Sequence, residues 1–420
     1  MDRFQVTGRN ILNGTIKIGG AKNAVLPIMA ATIISPGKYC LKNVPALRDT
    51  YTMKRLLEMS GAVISFNNNI MNIDTSQCVN PIAPYELVKT MRASFYVLGP
   101  FMSRFNYAEV SLPGGCAWGP RPVDFHLMAL EKLGADVTLS DGMIVTKGRL
   151  KGATISFSTS SVGATGNTIM AAVKAEGDTI IENAATEPEI DSLCLFLKKM
   201  GANIDGIGTK NLIIRGVKKL HADIEYEIIP DRIEAGTFLL GAAITKGDVL
   251  LENVNPNHMQ IFLEYLKKTG IKLEINTNSI HVHAGSTTIS PLDMDTDVYP
   301  GFPTDLQAQW MSYMTCASGS SIITENIYTD RFTHIAELCR FGADIRLSYN
   351  KAYINGNDIL KAAPVMSTDI RASASLIIAA LASKGKSEIS RIYHIDRGYE
   401  KIEEKFSKLG AEIWRETDGN

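Results

Sequence analysis

Apolar residues recur at helical spacing in six short segments, and each segment ends in a glycine followed by an alternating, strand-like pattern. A glycine directly after the last apolar turn is typical of a helix C-terminus. The pattern therefore predicts six amphipathic helices, each of which runs through a glycine turn into a strand. The segments are TMKRLLEMSGAVISF, FHLMALEKLGADVTL, SLCLFLKKMGANIDG, IFLEYLKKTGIKLEI, HIAELCRFGADIRLS and KIEEKFSKLGAEIWR, with Gly61, Gly134, Gly201, Gly270, Gly342 and Gly410 at their turns.

A second set of helices is predicted upstream of these, in segments that are apolar nearly all round. NTIMAAVKAEGDTIIENA and ASASLIIAALASKGKSEISRI are examples. A helix without a polar face belongs in a protein interior. Each unit of about 70 residues thus reads β-α-β-α-β-β, which is a repeat architecture. Six such units predict an α/β protein of two domains, each with three repeats and with the apolar helices inside.

Polar or charged residues occupy the predicted starts of all six apolar helices. Capping explains serine, threonine, aspartate and asparagine there, but a cation opposes the helix dipole. Helix N-termini bind anions, so these starts predict an anion-binding cleft if the two domains face each other. The residues are Lys22 and Asn23, Arg92 and Ser94, Ser161 and Gly163, Asp231 and Arg232, Thr304 and Asp305, and Arg371 and Ser373; Arg48, Arg121, Arg331 and Arg397 fall near the starts of the outer helices.

A loop of unusual composition spans residues 113–122, which read PGGCAWGPRP. Glycine and proline exclude regular helix or strand here. Cys116 lies in this loop and Arg121 follows five residues later. A nearby cation activates a thiol, although a free cysteine is also a common small core residue. Both readings of Cys116 are compatible with the loop alone.

Composition limits the class of protein. The chain has 420 residues, 45% of them hydrophobic, and a net charge of −1. That balance argues against nucleic acid or an acidic membrane as the main partner. The N-terminus lacks an apolar signal region, no apolar run reaches bilayer length, and the six cysteines are widely spaced. We expect a cytoplasmic enzyme with reduced thiols.

Several weaker motifs are candidates for chemistry. Gly19–Asn23 lacks the spacing of a nucleotide-binding P-loop. His281 and His283 share a strand face, but no carboxylate or cysteine pattern accompanies them, so a solvated edge is expected and no metal site. Asp293, Asp295 and Asp297 lack the glycine and glutamate of a calcium loop. His126 is compatible either with a surface position or with a ligand contact beside Arg121.

Motifs along the whole chain resemble one family. They are GGAKNAVLPI, MRAS at 91–94, PGGCAWGPRPVD around Cys116, SVGAT at 161–165, PDRIEAGTF at 230, FPTDLQAQ at 302, DRFTH at 330 and DIRASASL at 369. The chain resembles the UDP-N-acetylglucosamine enolpyruvyl transferases, which are relatives of EPSP synthase. The resemblance implies a two-domain inside-out α/β barrel of six βαβαββ repeats. One domain would span 22–229 and carry the cysteine loop; the other would combine 1–21 with 230–420 and carry Asp305.

The resemblance also implies a reaction and its residues. The enolpyruvyl group of phosphoenolpyruvate would pass to the 3-hydroxyl of UDP-N-acetylglucosamine with release of phosphate, through a tetrahedral ketal. Cys116 matches the proton donor, which also forms a covalent adduct, and Asp305 matches the base. No metal and no cofactor are expected, and the partners would be these two small molecules, without nucleic acid or membrane.

The remaining site residues follow from the same resemblance. Phosphoenolpyruvate would contact Lys22, Asn23, Cys116, Arg121, Arg331, Arg371 and Arg397, with Lys22 and Arg397 also catalytic and Asp369 nearby. UDP-N-acetylglucosamine would contact Asn23, Arg92, Arg121, Pro122, Val123, Asp124, Phe125, Ser161, Val162, Gly163, Asp305 and Ile327. Trp118 departs from the small aliphatic residue usual in the family. The alternatives are the shikimate-pathway enolpyruvyl transferase and a non-catalytic regulatory paralogue.

Overall fold

The polypeptide divides into two units, and it crosses between them twice. The computed structural model describes residues 2–112, 123–357 and 359–417. The continuous unit is Gly20–Ile229, and the split unit comprises the chain up to Gly19 and from Pro230 onward. The crossings therefore fall at 19/20 and 229/230. The boundaries expected from the sequence are 21/22 and 229/230.

Helices and strands alternate as in a repeat protein. The split unit begins with β1 (Arg3–Thr7) and β2 (Asn13–Lys17). The continuous unit contains α1 (Lys22–Ala31), β3 (Lys38–Lys42), α2 (Arg48–Met59), β4 (Val63–Asn67), β5 (Ile70–Asp74), β6 (Ile82–Ala83), α3 (Tyr85–Val88), α4 (Leu98–Phe105), β7 (Tyr107–Ser111), α5 (Asp124–Lys132), β8 (Asp136–Ser140), β9 (Met143–Lys147), β10 (Thr154–Ser156), α6 (Val162–Ala172), β11 (Asp178–Glu182), α7 (Pro188–Lys199), β12 (Asn203–Asp205), β13 (Asn211–Arg215) and β14 (Ile224–Glu227).

The split unit then resumes. Its elements are α8 (Arg232–Ile244), β15 (Asp248–Glu252), α9 (Gln260–Lys268), β16 (Lys272–Ile275), β17 (Ser279–His283), β18 (Met294–Asp295), α10 (Gln307–Met314), β19 (Ser320–Thr324), α11 (His334–Arg340), β20 (Asp344–Ser348), β21 (Lys351–Asn355), β22 (Pro364–Met366), α12 (Ile370–Ala382), β23 (Lys386–Ser390), α13 (Ile402–Lys408) and β24 (Glu412–Glu416). Short 3₁₀ turns at Arg92–Val97 and Thr304–Leu306 lead into α4 and α10.

The described residues form six four-stranded sheets of one design. In the sheet β10-β11-β13-β12, the first two strands are parallel and the other pairs are antiparallel. This unit runs β10, α6, β11, α7, β12, β13, which is the predicted β-α-β-α-β-β order. The repeat prediction is therefore confirmed for its pattern.

Three repeats are not continuous in sequence; the expected domain of 1–21 with 230–420 implies that the chain crosses twice, but it does not identify the strands that are exchanged. The first strand of the sheet around α8 is β2, which pairs in parallel with β15. The first strand of the sheet around α1 is β14, which pairs in parallel with β3. Each crossing thus separates a first strand from the helix that follows it in the repeat. In the sheet β22-β23-β1-β24, the N-terminal strand β1 takes the third place, which the last strand of the repeat holds in the sheet β10-β11-β13-β12.

The apolar helices are enclosed, as their composition requires. Every residue from Ile233 to Ile244 of α8 is buried, and so is every residue from Arg371 to Leu381 of α12. α8, α10 and α12 contact one another in the split unit, and α4 packs on α6 in the continuous unit. The prediction of buried helices is confirmed.

The outer helices end at the six predicted glycines. Gly61, Gly134, Gly201, Gly270, Gly342 and Gly410 all have φ between +87° and +107°. A side chain is strained in this region, so glycine is the residue that lets the chain turn from helix into strand. Within the described ranges, no helix is both long and apolar enough to span a membrane.

A buried ion pair supports the first crossing. Glu234 of α8 accepts a hydrogen bond from the backbone N–H of Gly19 at 2.8 Å and pairs with Lys405 of α13. Only 6% of the Glu234 side chain and 16% of the Lys405 side chain are exposed. Burial raises the pKa of Glu234, and Lys405 opposes that rise. The pair therefore ties α8 and α13 to the backbone where the chain leaves the split unit.

We predict that Lys405→Met destabilises the protein by about 3 kcal/mol, because it leaves a buried carboxylate without its cation. Urea denaturation measures the loss. Lys408→Met removes an exposed cation from the same helix and is the matched control, with an expected change below about 0.5 kcal/mol. Equal effects of the two substitutions would contradict a structural role for the pair.

Candidate functional site

Asp305 is the centre of a cluster of charged residues in the split unit. It lies in the 3₁₀ turn Thr304–Leu306, directly before the buried helix α10. Its Oδ1 accepts from Arg331 Nη1 at 3.0 Å, and its Oδ2 accepts from Arg371 Nη2 at 2.7 Å. About a quarter of the Asp305 side chain, 27%, remains exposed. The carboxylate is therefore held by two cations while part of it can still be reached.

Arg371 approaches Asp305 from the start of a second buried helix. The helix α12 is capped by Asp369, whose Oδ1 accepts from the backbone N–H groups of Arg371 and Ala372 at 2.8 and 3.3 Å. Burial alone would lower the pKa of Arg371, but the charge of Asp305 outweighs it and the pKa lies above its usual value. Arg371 is thus a permanent cation in an apolar setting.

A hydrogen-bond network around Tyr399 and Arg371 joins the three buried helices α8, α10 and α12. Tyr399 Oη lies 2.8 Å from Thr237 Oγ1 of α8, and it accepts from Gln309 Nε2 of α10 at 3.1 Å. Arg371 Nη1 donates to the same hydroxyl at 3.4 Å. Gln309 Nε2 also donates to the carbonyl of Asp305 at 3.0 Å. The sequence analysis missed Tyr399 and Gln309, although Tyr399 follows Arg397 by only two residues.

Glu325 is a second residue that the sequence analysis missed. It is completely buried and accepts from Thr296 Oγ1, Thr304 Oγ1 and the backbone N–H of Ile327, each at 2.8 Å. Thr304 Oγ1 in turn accepts from Arg331 Nη1 at 3.0 Å. Glu325 therefore fixes the turn that carries Asp305 and, through Thr304, the guanidinium beside it. A glutamate directly after the strand SSIIT was the available signal.

Lys22 and Asn23 begin α1 in the continuous unit. Lys22 Nζ lies 3.6 Å from Asp49 Oδ2 of α2, and both side chains are largely buried. Arg48, at the start of α2, is the residue before Asp49. A lysine held at a helix N-terminus by a buried aspartate offers its charge to an anion together with backbone N–H groups.

His126 is buried, so its interpretation as a surface histidine is wrong. Its Nδ1 lies 2.8 Å from Asn167 Nδ2, and its ring packs edge-on against Phe95 with centroids 4.9 Å apart. Asn167 Oδ1 accepts from the backbone N–H of Gly99, so the amide must donate to His126 Nδ1. Burial, assisted by the charge of Arg92, lowers the pKa of His126 to about 3. The ring is neutral and carries its proton on Nε2.

Gly163 lies against that ring. A Cβ at Gly163 would come within 3.2 Å of His126 Cε1 and Nε2, which is tighter than ordinary contact. Ser161 caps the helix that contains Gly163, accepting weakly from the backbone N–H of Ala164 at 3.4 Å. The start of α6 and the charge of Arg92 are therefore both neighbours of His126.

The other predicted residues have the following positions. Val123 precedes α5, which begins at Asp124, and the Phe125 ring packs on Phe157 with centroids 5.7 Å apart. Val162 begins α6. Arg397 ends a 3₁₀ turn before α13, and Ile327 donates its N–H to Glu325. Cys116, Trp118, Arg121 and Pro122 lie outside the described residues.

Capping divides the six helix starts into two kinds. Ser161, Asp231 and Asp369 accept hydrogen bonds from the N-terminal N–H groups of α6, α8 and α12. In the described structure, no side chain at the N-cap position does so for α1 or for the turns that begin at Arg92 and Thr304. Lys22 and Arg92 begin two of these three. Arg232 and Arg371 lie at the capped starts of α8 and α12, so cations occur at both kinds of start; those at Lys22 and Arg92 have N–H groups without an N-cap side chain, which favours anion binding there.

We predict that His126 makes stability decrease on acidification. The pKa of the folded protein, about 3, lies below the unfolded value near 6.5, so the histidine of the unfolded state is protonated first as the pH falls. Below pH 6.5 this protonation stabilises the unfolded state relative to the folded state by about 1.4 kcal/mol per pH unit. The difference in unfolding free energy between wild type and His126→Gln should therefore shrink between pH 7 and pH 5. Urea denaturation at both values measures it. The exposed His221→Gln is the control, and parallel pH profiles for wild type and His126→Gln would contradict the assignment.

Solved structures share this architecture. The enolpyruvyl transferase NikO from Streptomyces tendae matches with a TM-score of 0.89 and 21% identity, covering 100% of this chain and 99% of its own. EPSP synthase from Acinetobacter baumannii matches with a TM-score of 0.77 and 19% identity over 99% of this chain and 100% of its own. These similarities confirm the expected enolpyruvyl transferase fold.

Sequence comparison gives the family. Residues 6–406 match the profile of EPSP synthase (3-phosphoshikimate 1-carboxyvinyltransferase). A protein of Chlorobium luteolum named UDP-N-acetylglucosamine 1-carboxyvinyltransferase is 50% identical over 99% of both chains. One of the same name from Chlorobium phaeovibrioides is 51% identical over 99% of both. With this match along nearly its whole length, the chain belongs to the EPSP synthase family of enolpyruvyl transferases.

Proposed function

We propose that this protein transfers the enolpyruvyl group of phosphoenolpyruvate to the 3-hydroxyl of UDP-N-acetylglucosamine, the first committed step of peptidoglycan precursor synthesis. The observation that carries the proposal is the identity of about 50%, over 99% of the chain, with relatives named for this activity. Structural neighbours such as EPSP synthase are only 19% identical. We place the reaction in the cytoplasm, where the cysteines stay reduced.

The proposed reaction is an addition followed by an elimination. The sugar oxygen bonds to C2 of phosphoenolpyruvate and loses its proton, while C3 gains a proton and becomes a methyl group. The resulting ketal then loses a proton from C3, and the bond from C2 to the phosphate oxygen breaks. The products are the enolpyruvyl ether and inorganic phosphate. The first step needs an acid near C3 and a base near the hydroxyl.

Asp305 is the base in this proposal. An ionised carboxylate accepts protons, and the contacts with Arg331 and Arg371 fix the direction of both of its oxygens. Its partial exposure leaves it accessible to a substrate hydroxyl. Glu325 and Tyr399 are positioning residues, because they hold Thr304 and Arg371 without being exposed themselves. Cys116 is the acid, by its match to the family motif.

The anionic groups of phosphoenolpyruvate require several cations. Electrostatic stabilisation of the departing phosphate is the expected role of Lys22, Arg121 and Arg397. Arg331 and Arg371 would bind the carboxylate end beside Asp305, and Asn23 would add a hydrogen bond. The nucleotide sugar would contact polar helix starts of the continuous unit and the segment from Arg121 to Phe125. The other proposed contacts are Arg92, Ser161, Val162, Gly163 and Ile327.

Phosphate release with two acceptors tests the function. We expect release from phosphoenolpyruvate with UDP-N-acetylglucosamine and none above background with shikimate 3-phosphate. The reverse result would make this a shikimate-pathway enzyme. Binding of the nucleotide sugar without phosphate release would make it a non-catalytic paralogue.

Cys116→Ser should lose phosphate release and Cys116→Asp should retain it, because a carboxylic acid can replace the thiol as proton donor. Fosfomycin, an epoxide that alkylates the thiol, should inactivate wild type and spare the aspartate variant.

We predict that Asp305→Asn lowers kcat by about 10²- to 10⁴-fold, because the amide cannot take the hydroxyl proton. Steady-state phosphate release measures kcat, and calorimetric binding of UDP-N-acetylglucosamine checks that the fold persists. Asp136→Asn, at an exposed strand position, is the matched control and should keep the wild-type rate. A variant at Asp305 with more than half the wild-type kcat would remove this residue from the role of base.

A further inference from the structure

Four side chains of types that bind metals meet on one face of the sheet β16-β17-β15-β2 in the split unit. They are distant in sequence from Asp305, Arg331 and Arg371, and none of those three residues lies on this sheet. In β17, Ile280 and Val282 are fully buried, so His281 and His283 project from the opposite face. Asp248 on β15 is directly opposite His283 in the register, and Glu274 on β16 is opposite His281. We call these four residues the sheet-face cluster.

The distances within the cluster are short. Asp248 Oδ1 lies 2.7 Å from His281 Nε2, and its Oδ2 lies 2.8 Å from His283 Nδ1. The two imidazole rings are 3.9 Å apart between centroids. His283 Nε2 has almost no solvent exposure and makes no hydrogen bond within the described structure, although Glu274 Oε1 is 3.3 Å away. The fold thus adds the carboxylates whose absence from the local sequence argued against a metal site.

This arrangement fits one small divalent ion. A ligand atom from each of Asp248, His281 and His283 can be chosen so that all lie within 4.8 Å of one another. Around a tetrahedral zinc ion with bonds of about 2.1 Å, the ligand atoms are ~3.4 Å apart. Small side-chain rotations therefore bring the three into a coordination sphere. The strands that carry them are already fixed by their ladder, so little ordering entropy opposes binding.

The donor set decides the class of ion. Two imidazoles with one or two carboxylates favour Zn²⁺, Cu²⁺, Ni²⁺ and Co²⁺ over Mg²⁺ or Ca²⁺, which prefer oxygen ligands alone. We propose that the sheet-face cluster binds one divalent transition-metal ion. Each imidazole coordinates through a nitrogen that has given up its proton, and the Asp248 carboxylate replaces its hydrogen bonds with a bond to the metal. Glu274 supplies a fourth ligand or holds the His283 ring.

The bound ion stabilises the sheet and takes no part in the transferase chemistry. It links β15 to β17, which are separated in sequence by α9 and β16. An ion that binds the folded chain and not the unfolded chain raises the melting temperature by mass action. The inference is therefore independent of the proposed function, and its failure would leave that function untouched.

Titration of the untagged full-length protein with Co²⁺ tests the proposal, in the presence of a phosphine reductant that keeps the thiols reduced. Cobalt bound to nitrogen and oxygen gives visible d–d bands without the near-ultraviolet charge-transfer band of a thiolate complex, so the cysteines are distinguished. We expect saturable binding of about one equivalent and a rise in Tm with Zn²⁺. His281→Gln/His283→Gln should weaken binding at least about tenfold and abolish the Tm rise.

The exposed His221→Gln is the matched control and should bind as wild type does. Asp248→Asn gives an independent second variant and should also weaken binding, which keeps the test decisive if the double variant folds poorly. Equal affinity in wild type and either cluster variant would overturn the proposal. So would a cobalt spectrum that shows thiolate ligands alone, or no saturation at millimolar metal.

Discussion

The enclosure of apolar helices constrains everything else in this protein. α8 and α12 have no solvent-facing side, so a substrate cannot reach their lateral surfaces. Only their ends are available, and the N-terminal end is also where backbone N–H groups lack partners. Asp305, Arg331 and Arg371 accordingly gather where α10 and α12 begin. A fold with solvated helices would not concentrate its polar groups in this way.

Asp305 shows how such an end becomes a reactive group. A buried guanidinium needs a counter-charge, since desolvation without one costs several kcal/mol. Arg371, only 4% exposed, obtains it from Asp305, and Tyr399 takes a second donor of the same guanidinium. The hydrogen bond that Asp305 accepts from Arg371 therefore has two effects. It compensates the buried charge of Arg371, and it fixes the orientation of the Asp305 carboxylate.

Local patterns allowed the repeat and its helices to be predicted from sequence. The glycine turns, such as Gly201 with φ of +98°, follow from backbone sterics at one position. Pairing between strands that are distant in sequence could not be predicted from local patterns. Nothing within β2 indicates that it pairs with β15. The same holds for the cluster of Asp248 with His283, which depends on register between strands.

Part of the candidate site, the charged residues at helix starts, could be predicted from the sequence, whereas the burial of His126 and the role of Glu325 could not. Charged residues at helix starts were visible as departures from an apolar pattern, and family motifs supplied the proposed role of Asp305. The burial of His126 was not visible, because an isolated histidine beside polar residues reads equally well as exposed. Glu325 escaped notice for a related reason. Its four acceptor contacts come from backbone and threonine groups whose convergence is set by the turn, not by spacing.

The exchange of strands between repeats has a consequence for synthesis. β1 pairs with β24, so Arg3 meets Glu416 across 413 positions of chain. At about 5–20 residues per second on the ribosome, tens of seconds pass between the synthesis of β1 and that of its partner β24. The continuous unit, by contrast, has all of its strands once Glu227 has emerged. The split unit is therefore completed second, around strands that were made first, and the edges of β1 and β2 have no native partner in the interval.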